Sequence, residues 1–387
     1  MTKQTQLRNL KLLLFFFHFT NTIIISFLPL YLNFKGLSGT EIGWVLAVGP
    51  LASIISQPFW GFLSDKYRTV KWVLIMTIVG MLIFSVLFFQ MNHLIFILMF
   101  GALFYFFSSP VGALGDSLAQ RQADSLAISF GSIRTWGSIG FALSSLIIGQ
   151  LLDIYGVAFM RWPYLLFGTI LLIIAFQIRD VKIADNEQTI SLKDLKLLFS
   201  NKPFIYFLLI MMFITITHRA NDSFIGLFIT ELGGSESLVG VGWFIALVSE
   251  ALIFAFAYKW FKKDHALFFI ILASILYTIR WIIFALSTSP MIILLGQVLH
   301  GLTFGIFYLS ALDYITRLIP HALKSSGHLI FYSVFFGVSG IIGSLGGGLL
   351  IDHLSGNHLY FILSLLTLVG ASLLIIYRIK NPIKNSQ

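Results

Sequence analysis

The chain has 387 residues, 58% of them hydrophobic and only 11% charged, with a mean hydropathy of +0.92. Such a composition excludes a soluble globular domain and places the chain among integral membrane proteins. The net charge of +9 would suit nucleic acid or an anionic partner, but its distribution along the chain is that of membrane topology, and the absence of cysteine excludes disulfides, thiol chemistry and cysteine metal sites.

Runs of eighteen or more mostly apolar residues recur, each long enough to cross about 30 Å of hydrocarbon as a helix. Twelve can be counted, and the ten-residue alternation of a membrane β-barrel is missing. The expected fold is an all-α polytopic membrane protein of twelve transmembrane helices in two pseudo-symmetric six-helix bundles. Of the 25 basic residues, twenty fall on the even-numbered loops and the two tails when the amino terminus is inside; only Lys35 and Arg161 fall on the opposite loops. Both termini are therefore expected in the cytoplasm, with the protein in the plasma membrane. No cleavable signal is expected, because the first apolar run is long enough to span and lacks a small-residue cleavage site.

The first span, about 10–32, carries His18 and Asn21 as one polar stripe, able either to line a pore or to bond a neighbouring helix. The second, about 41–63, leads into the loop 61–71, where Asp65 can cap the next turn or pair with a basic residue and Gly61 permits close helix contact. Spans at about 72–91 and 94–118 follow, the latter holding Asp116. The fifth, about 128–152, opens with Phe130-Gly-Ser-Ile-Arg-Thr-Trp-Gly-Ser-Ile-Gly-Phe141 and buries Arg134 in apolar sequence. Helices four and five run antiparallel, so at about 1.5 Å rise per residue Asp116 and Arg134 reach a common depth, on the order of 8–15 Å below the cytoplasmic surface. Charges placed there pair and face a cavity. The sixth span, about 162–178, ends the first half.

Composition turns polar after Arg179, which sets the expected organisation: a first bundle over 1–179, a cytoplasmic linker over 180–202 and a second bundle over 203–387. In the second half, the span 203–230 carries His218, Arg219 and Asp222, span 238–260 carries Glu250, span 266–287 carries Arg280, and span 291–318 carries His300; spans 327–351 and 359–379 complete the chain. The halves echo one another. Segments 27–36 and 224–233 align without a gap and lead to Gly43 and Gly240, and Gly149-Gln-Leu-Leu-Asp153 echoes Gly348-Leu-Leu-Ile-Asp352. Duplicated six-helix halves are the building plan of an alternating-access transporter.

On these residues the chain resembles the major facilitator superfamily over essentially its full length. The loop 61–71 is similar to the family's signature after helix 2, with one residue fewer and without the inner glycine, which assigns Gly61, Asp65, Lys66 and Arg68 to a conformational loop. Within the superfamily the pattern resembles the oligosaccharide:proton symporters of the lactose permease type. There a helix 4 acid and a helix 5 arginine bind the sugar, and Asp116 and Arg134 have the same spacing, followed by Gly137 and Gly140. Asp222, Glu250, Arg280 and His300 match that family's charged and histidine positions on helices 7 to 10, implying proton coupling. Phe141 stands where the sugar-stacking tryptophan would be, Thr303 where the proton-carrying carboxylate would be, Arg219 where the family has an earlier helix 7 acid and Gln297 where it has a lysine. Segments around Arg134 and His300 look like the related phenylpropionate permease branch.

The expected substrate-binding residues are thus Asp116, Arg134, Phe141, His18 and Asn21, and the expected proton-coupling residues are Glu250, Asp222, Arg280 and His300. Arginine supplies several donors and aspartate only acceptors, which suits a hydroxyl-bearing solute. Three arginines within spans, at 134, 219 and 280, are matched by Asp116, Asp222 and Glu250, leaving no cation spare and favouring a neutral sugar or nucleoside. The expected partners are a small-molecule substrate, protons and the lipid bilayer, with no nucleic acid, for a monomer needing neither cofactor nor metal. Uptake of an aromatic acid and drug:proton efflux are the competing transport readings, although the fifth span lacks the proline of the antiporter signature. A membrane receptor or lipid-handling protein is the competing class outside transport. An enzyme is not expected, since nucleophile elbow, phosphate loop and zinc-spaced histidines are missing from the sequence.

Overall fold

The computed structural model describes residues 3–125, 128–180, 197–320 and 323–380. Among these, twelve helices are long and apolar enough to cross a membrane: α1 Lys3–Phe34, α2 Gly39–Lys66, α3 Val70–Gln90, α4 Leu94–Ser125, α5 Phe130–Tyr155, α6 Val157–Gln177, α7 Lys202–Glu231, α8 Glu236–Ala255, α9 Ala266–Ala285, α10 Pro290–Leu318, α11 Ser326–His353 and α12 Gly356–Lys380. Most of the expected linker, 181–196, lies outside the described residues. Helix ends differ from the sequence reading where the chain turns polar. α1 starts at Lys3 and α4 continues to Ser125, because hydropathy marks the apolar slab and a helix can run on past it. α8 stops at Ala255, and a separate turn, Ala257–Trp260, follows it.

Packing within the first six helices recurs in the second six. α1 packs on α5 and α6, α3 on α4 and α6, and α2 on α4; equivalently α7 packs on α11 and α12, α9 on α10 and α12, and α8 on α10. The halves meet along α2 with α11, α5 with α8, and α1 with α7.

These seams are closed by small residues at the end of the molecule that carries the turns 35–38 and 232–235. A Cβ on Gly43 would reach 2.5 Å from the Ser344 carbonyl, and one on Gly348 would collide with the Gly39 carbonyl. On the other seam a Cβ on Gly240 would collide with the Ser145 carbonyl, and Gly149 lies against Gly240. Such backbone contact between helices is what small residues permit. The repeated glycines of the two halves therefore meet across the halves. The first turn of α2 is further held by a capping box between Ser38 and Glu41 and by Asp352 of α11, whose carboxylate accepts from the Gly39 amide and, at 2.7 Å, from the Thr40 amide.

The loop after α2 differs from expectation. Gly61 lies inside α2 with open space where a Cβ would stand, so it makes no close helix contact. α3 is capped by Thr69, whose hydroxyl accepts from the Trp72 amide at 3.2 Å, and not by Asp65. The acid that joins this loop is Asp180, which accepts from the Thr69 hydroxyl and, at 3.1 Å, from the Lys71 amide. The chain turns through Arg68 at φ 52°, a left-handed conformation that glycine adopts without strain.

Candidate functional site

α5 presents Gly137, Gly140 and Ser144 to α1. A Cβ on Gly140 would collide with the Phe15 backbone, and the Ser144 hydroxyl donates to the Phe19 carbonyl at 2.7 Å. This close approach sets His18 of α1 beside Arg134, since both lie where a side chain on Gly137 would stand. Arg134 Nε is 3.6 Å from Asp116 Oδ1 of α4, with the two side chains 38% and 39% exposed. The antiparallel pair expected from the sequence thus forms. An ion pair this open contributes about 0–1 kcal/mol to stability, which makes packing a weak reason for two charges in apolar spans.

A cavity of about 560 Å³ lies between the halves, bounded chiefly by α1, α2, α4, α7 and α11. Its first-half wall offers neutral polar groups, Asn21, Gln57, Tyr105 and Ser109 among them, and among the described residues its only charged lining groups are Arg219 and Asp222 of α7. Those two form an ion pair, with Arg219 Nη1 donating to Asp222 Oδ2 at 2.9 Å, while Arg219 Nε and Asp222 Oδ1 are buried without a hydrogen-bond partner among the described residues. Of the five residues expected to bind substrate, Asn21 alone is in this lining; Asp116, Arg134, His18 and Phe141 lie outside it. The Phe141 ring instead sits 6.0 Å from that of Trp243, across the α5–α8 seam.

The expected proton-coupling residues gather behind the Asp222 side of the cavity. Glu250 Oε2 of α8 is 3.5 Å from His300 Nε2 of α10, and His300 Nδ1 is 3.3 Å from Arg280 Nη1 of α9. Arg280 is fully buried and donates to Gln297 Oε1 and, at 3.1 Å, to Thr303 Oγ1, while its guanidinium lies over the Trp281 ring at 4.9 Å. The matching of arginines to acids is therefore uneven. Arg134 and Arg219 each contact a carboxylate, but among the described residues no carboxylate lies within 4.0 Å of Arg280, and its link to Glu250 runs through His300. Immediately after His300, α10 makes a π-turn, Gly301–Gly305, and the Gly301 amide donates to Ser249 Oγ of α8 at 2.8 Å. A widened turn of this kind is common at functional sites.

His218 joins the two groups. Its Nε2 is 3.4 Å from Asp222 Oδ2, its Nδ1 is 2.8 Å from the Tyr277 hydroxyl, and its ring centroid is 5.7 Å from that of His300. Sequence reasoning saw His218 as a local neighbour of Asp222 and passed over Tyr277, although Tyr277 precedes Arg280 by three residues and so shares its helix face. It also passed over Gln57 and Tyr105, neutral polar residues in apolar helices, which are the signal that would have located the cavity wall.

The family model described as the MFS_1 like family matches residues 7–362. The chain is 28% identical to the uncharacterized transporter YwbF of Bacillus subtilis (strain 168), over 90% of this chain and 88% of that protein. It is 26% identical to the maltose permease of Geobacillus stearothermophilus, over 94% and 92%. Its fold is similar to that of the crystal structure of nucleoside transporter NupG, with a TM-score of 0.86, 17% identity and coverage of 96% of this chain and 98% of that one. With twelve membrane-crossing helices, a polar cavity between repeated halves and a family match spanning nearly the whole length, the chain belongs to the MFS_1 like family of the major facilitator superfamily and is a secondary transporter of small molecules.

Proposed function

We propose that this protein takes up a small, neutral, hydroxyl-bearing solute, a sugar or nucleoside, by proton-coupled symport across the plasma membrane. The observation that carries the reading is the charge balance of the central cavity. Its volume of about 560 Å³ is within the roughly 300–1,000 Å³ of small-molecule sites, and its two charged residues already neutralise each other, so the wall offers hydrogen bonds without a net charge to hold an anion. Asn21, Gln57 and Tyr105 supply donors and acceptors for hydroxyls. Asp116 and Arg134, beside His18 midway along α1, act as a second polar station for the solute, and Phe141 holds the seam that must part when the site changes sides. Glu250, Asp222, Arg280 and His300 are the coupling group. The maltose permease among its relatives and the fold shared with a nucleoside transporter agree with a solute of this kind.

Both termini are assigned to the cytoplasm, which makes the glycine-closed end extracellular and the structure inward-facing. The loop with Gly61, Asp65, Lys66 and Arg68 then lies on the cytoplasmic side. Purified protein in proteoliposomes, given radiolabelled maltose, sucrose and uridine with and without an acid-outside pH gradient, tests the reading. Gradient-dependent accumulation of at least one neutral solute is expected, and Arg134→Ala is expected to abolish it. Accumulation of aromatic carboxylates alone would sink the proposal.

A further inference from the structure

The partners of the two buried histidines decide how many protons each can carry. His300 Nδ1 faces Arg280 Nη1 at 3.3 Å. A guanidinium only donates, so this Nδ1 accepts, and the single proton of the ring sits on Nε2, facing Glu250. While Arg280 stays where it is, His300 has no site for a second proton. Arg280 is fixed by Gln297, Thr303 and the Trp281 and Phe284 rings.

His218 differs at the equivalent atom. Its Nδ1 faces the Tyr277 hydroxyl at 2.8 Å, and a hydroxyl donates to a neutral imidazole and accepts from a protonated one by turning its hydrogen. The ring is stacked on Phe304 at 4.7 Å and flanked edge-on by Phe335, so it keeps its orientation in either state. Nε2 faces Asp222 Oδ2, and the other carboxylate oxygen, Oδ1, is buried without a hydrogen-bond partner on a residue that lines the cavity.

We propose that His218 and Asp222 together hold the transported proton, with Tyr277 as the partner that reverses its hydrogen bond, and that Glu250, His300 and Arg280 form a fixed-charge cluster beside them. The proposal rests on the proton-coupled reading above. In the empty state Asp222 is a carboxylate, His218 carries its one proton on Nε2, and Arg219 balances Asp222. On loading, water in the cavity gives up a proton that bonds to the pair, at Asp222 Oδ1 or His218 Nδ1, and is left as hydroxide for the bulk to neutralise. The charged and titratable groups facing the pair are Arg219 on its own helix, Tyr277 and Arg280 on α9, His300 on α10 and Tyr360 on α12, with Glu250 of α8 behind His300. Arg219 with Asp222 and Arg280 with Glu250 cancel, so one added proton is the only uncompensated charge.

Proteoliposome assays compare accumulation of maltose, sucrose and uridine under an acid-outside gradient with exchange of the same solutes at equal pH. In His218→Gln the ratio of gradient-driven accumulation to exchange is expected to fall at least tenfold. An unchanged ratio overturns the proposal. Wild-type protein that exchanges solute but never responds to the gradient overturns proton coupling itself. Should the variant fail to fold, the histidine nitrogen and aspartate carboxyl spectra of wild-type protein in nanodiscs decide, with His218 assigned through its contact with labelled Tyr277. The His218–Asp222 pair is expected to gain one proton as the pH is lowered, at the His218 nitrogens or the Asp222 carboxyl, and a pair in which neither member gains one overturns the proposal.

Discussion

Arg280 is a cation held in a dry place by neutral groups. Among the described residues no carboxylate touches it, and Glu250 is linked to it through His300. Removing one member of such a buried set leaves the other charge uncompensated, at a cost of about 3–5 kcal/mol, whereas removing both can be close to neutral. Arg280→Leu is therefore expected to lower the melting temperature sharply, and the double variant Arg280→Leu with Glu250→Gln to recover much of the loss; thermal melts of the purified proteins check this, and additive losses would show that the two charges do not depend on each other. Arg68 poses the opposite problem, a residue with a Cβ in left-handed backbone at φ 52°. A β-branched side chain there costs about 1–2 kcal/mol, and glycine relieves strain while adding unfolded-chain entropy, for a net effect within about 1 kcal/mol. Arg68→Val is expected to melt lower than the wild type and Arg68→Gly close to it. The sequence showed that glycine was missing from this turn, but not which residue would take the strained conformation, because a dihedral angle is settled by the two helices the loop joins.

At the scale of the helices, the closed end is held by two glycine crossings and one carboxylate. Gly43 of α2 lies on Ser344 of α11, and Gly240 of α8 lies on Ser145 and Gly149 of α5. A leucine at Gly240 cannot be accommodated without separating the helices, and since chain halves move as bodies in this kind of transporter, Gly240→Leu is expected to favour the state open at that end. Asp352 caps α2 from the other half, and such a cap contributes roughly 0.5–2 kcal/mol; taking about 1 kcal/mol, Asp352→Asn is expected to raise the open population roughly fivefold. The chain has no cysteine, so a single cysteine at Ile25, in the cavity wall, reports both shifts through its rate of labelling by a membrane-impermeant maleimide added on the side of the closed end. A labelling rate unchanged in both variants would show that neither contact holds that end shut. Here the sequence was informative in an unexpected way. Its internal echo paired Gly43 with Gly240 and Gly149 with Gly348 as equivalents, and the structure shows members of these pairs touching across the seams, because a twofold relation between halves brings α2 to α11 just as it brings α8 to α5. The π-turn of α10 at Gly301–Gly305 left no comparable trace, since a widened turn changes one hydrogen-bond register and leaves the apolar pattern intact.

For the whole molecule, the spans were legible because lipid imposes long uninterrupted apolar runs, and the charged residues were legible because each is costly in such a run. Which charges share one cavity was not. Rise per residue gave Asp116 and Arg134 a common depth, but not the azimuth that leaves them outside a wall built from Asn21, Gln57 and Tyr105 on the near side and Arg219 and Asp222 on the far side. The resulting wall has no net charge, and this fixes what a membrane potential can do. A neutral solute moving with one proton carries one positive charge inward per cycle, and an elementary charge falling through about 100 mV gains about 2.3 kcal/mol. An inside-negative potassium diffusion potential of about 100 mV, imposed at equal pH on both sides, is thus expected to support up to about fifty-fold accumulation of solute. A carboxylate solute moving with one proton would carry no charge, and the potential alone would concentrate nothing. Accumulation that follows the pH gradient but is indifferent to the potential would therefore transfer the site from neutral solutes to anions, and would require Arg219 to leave Asp222 and bind the cargo.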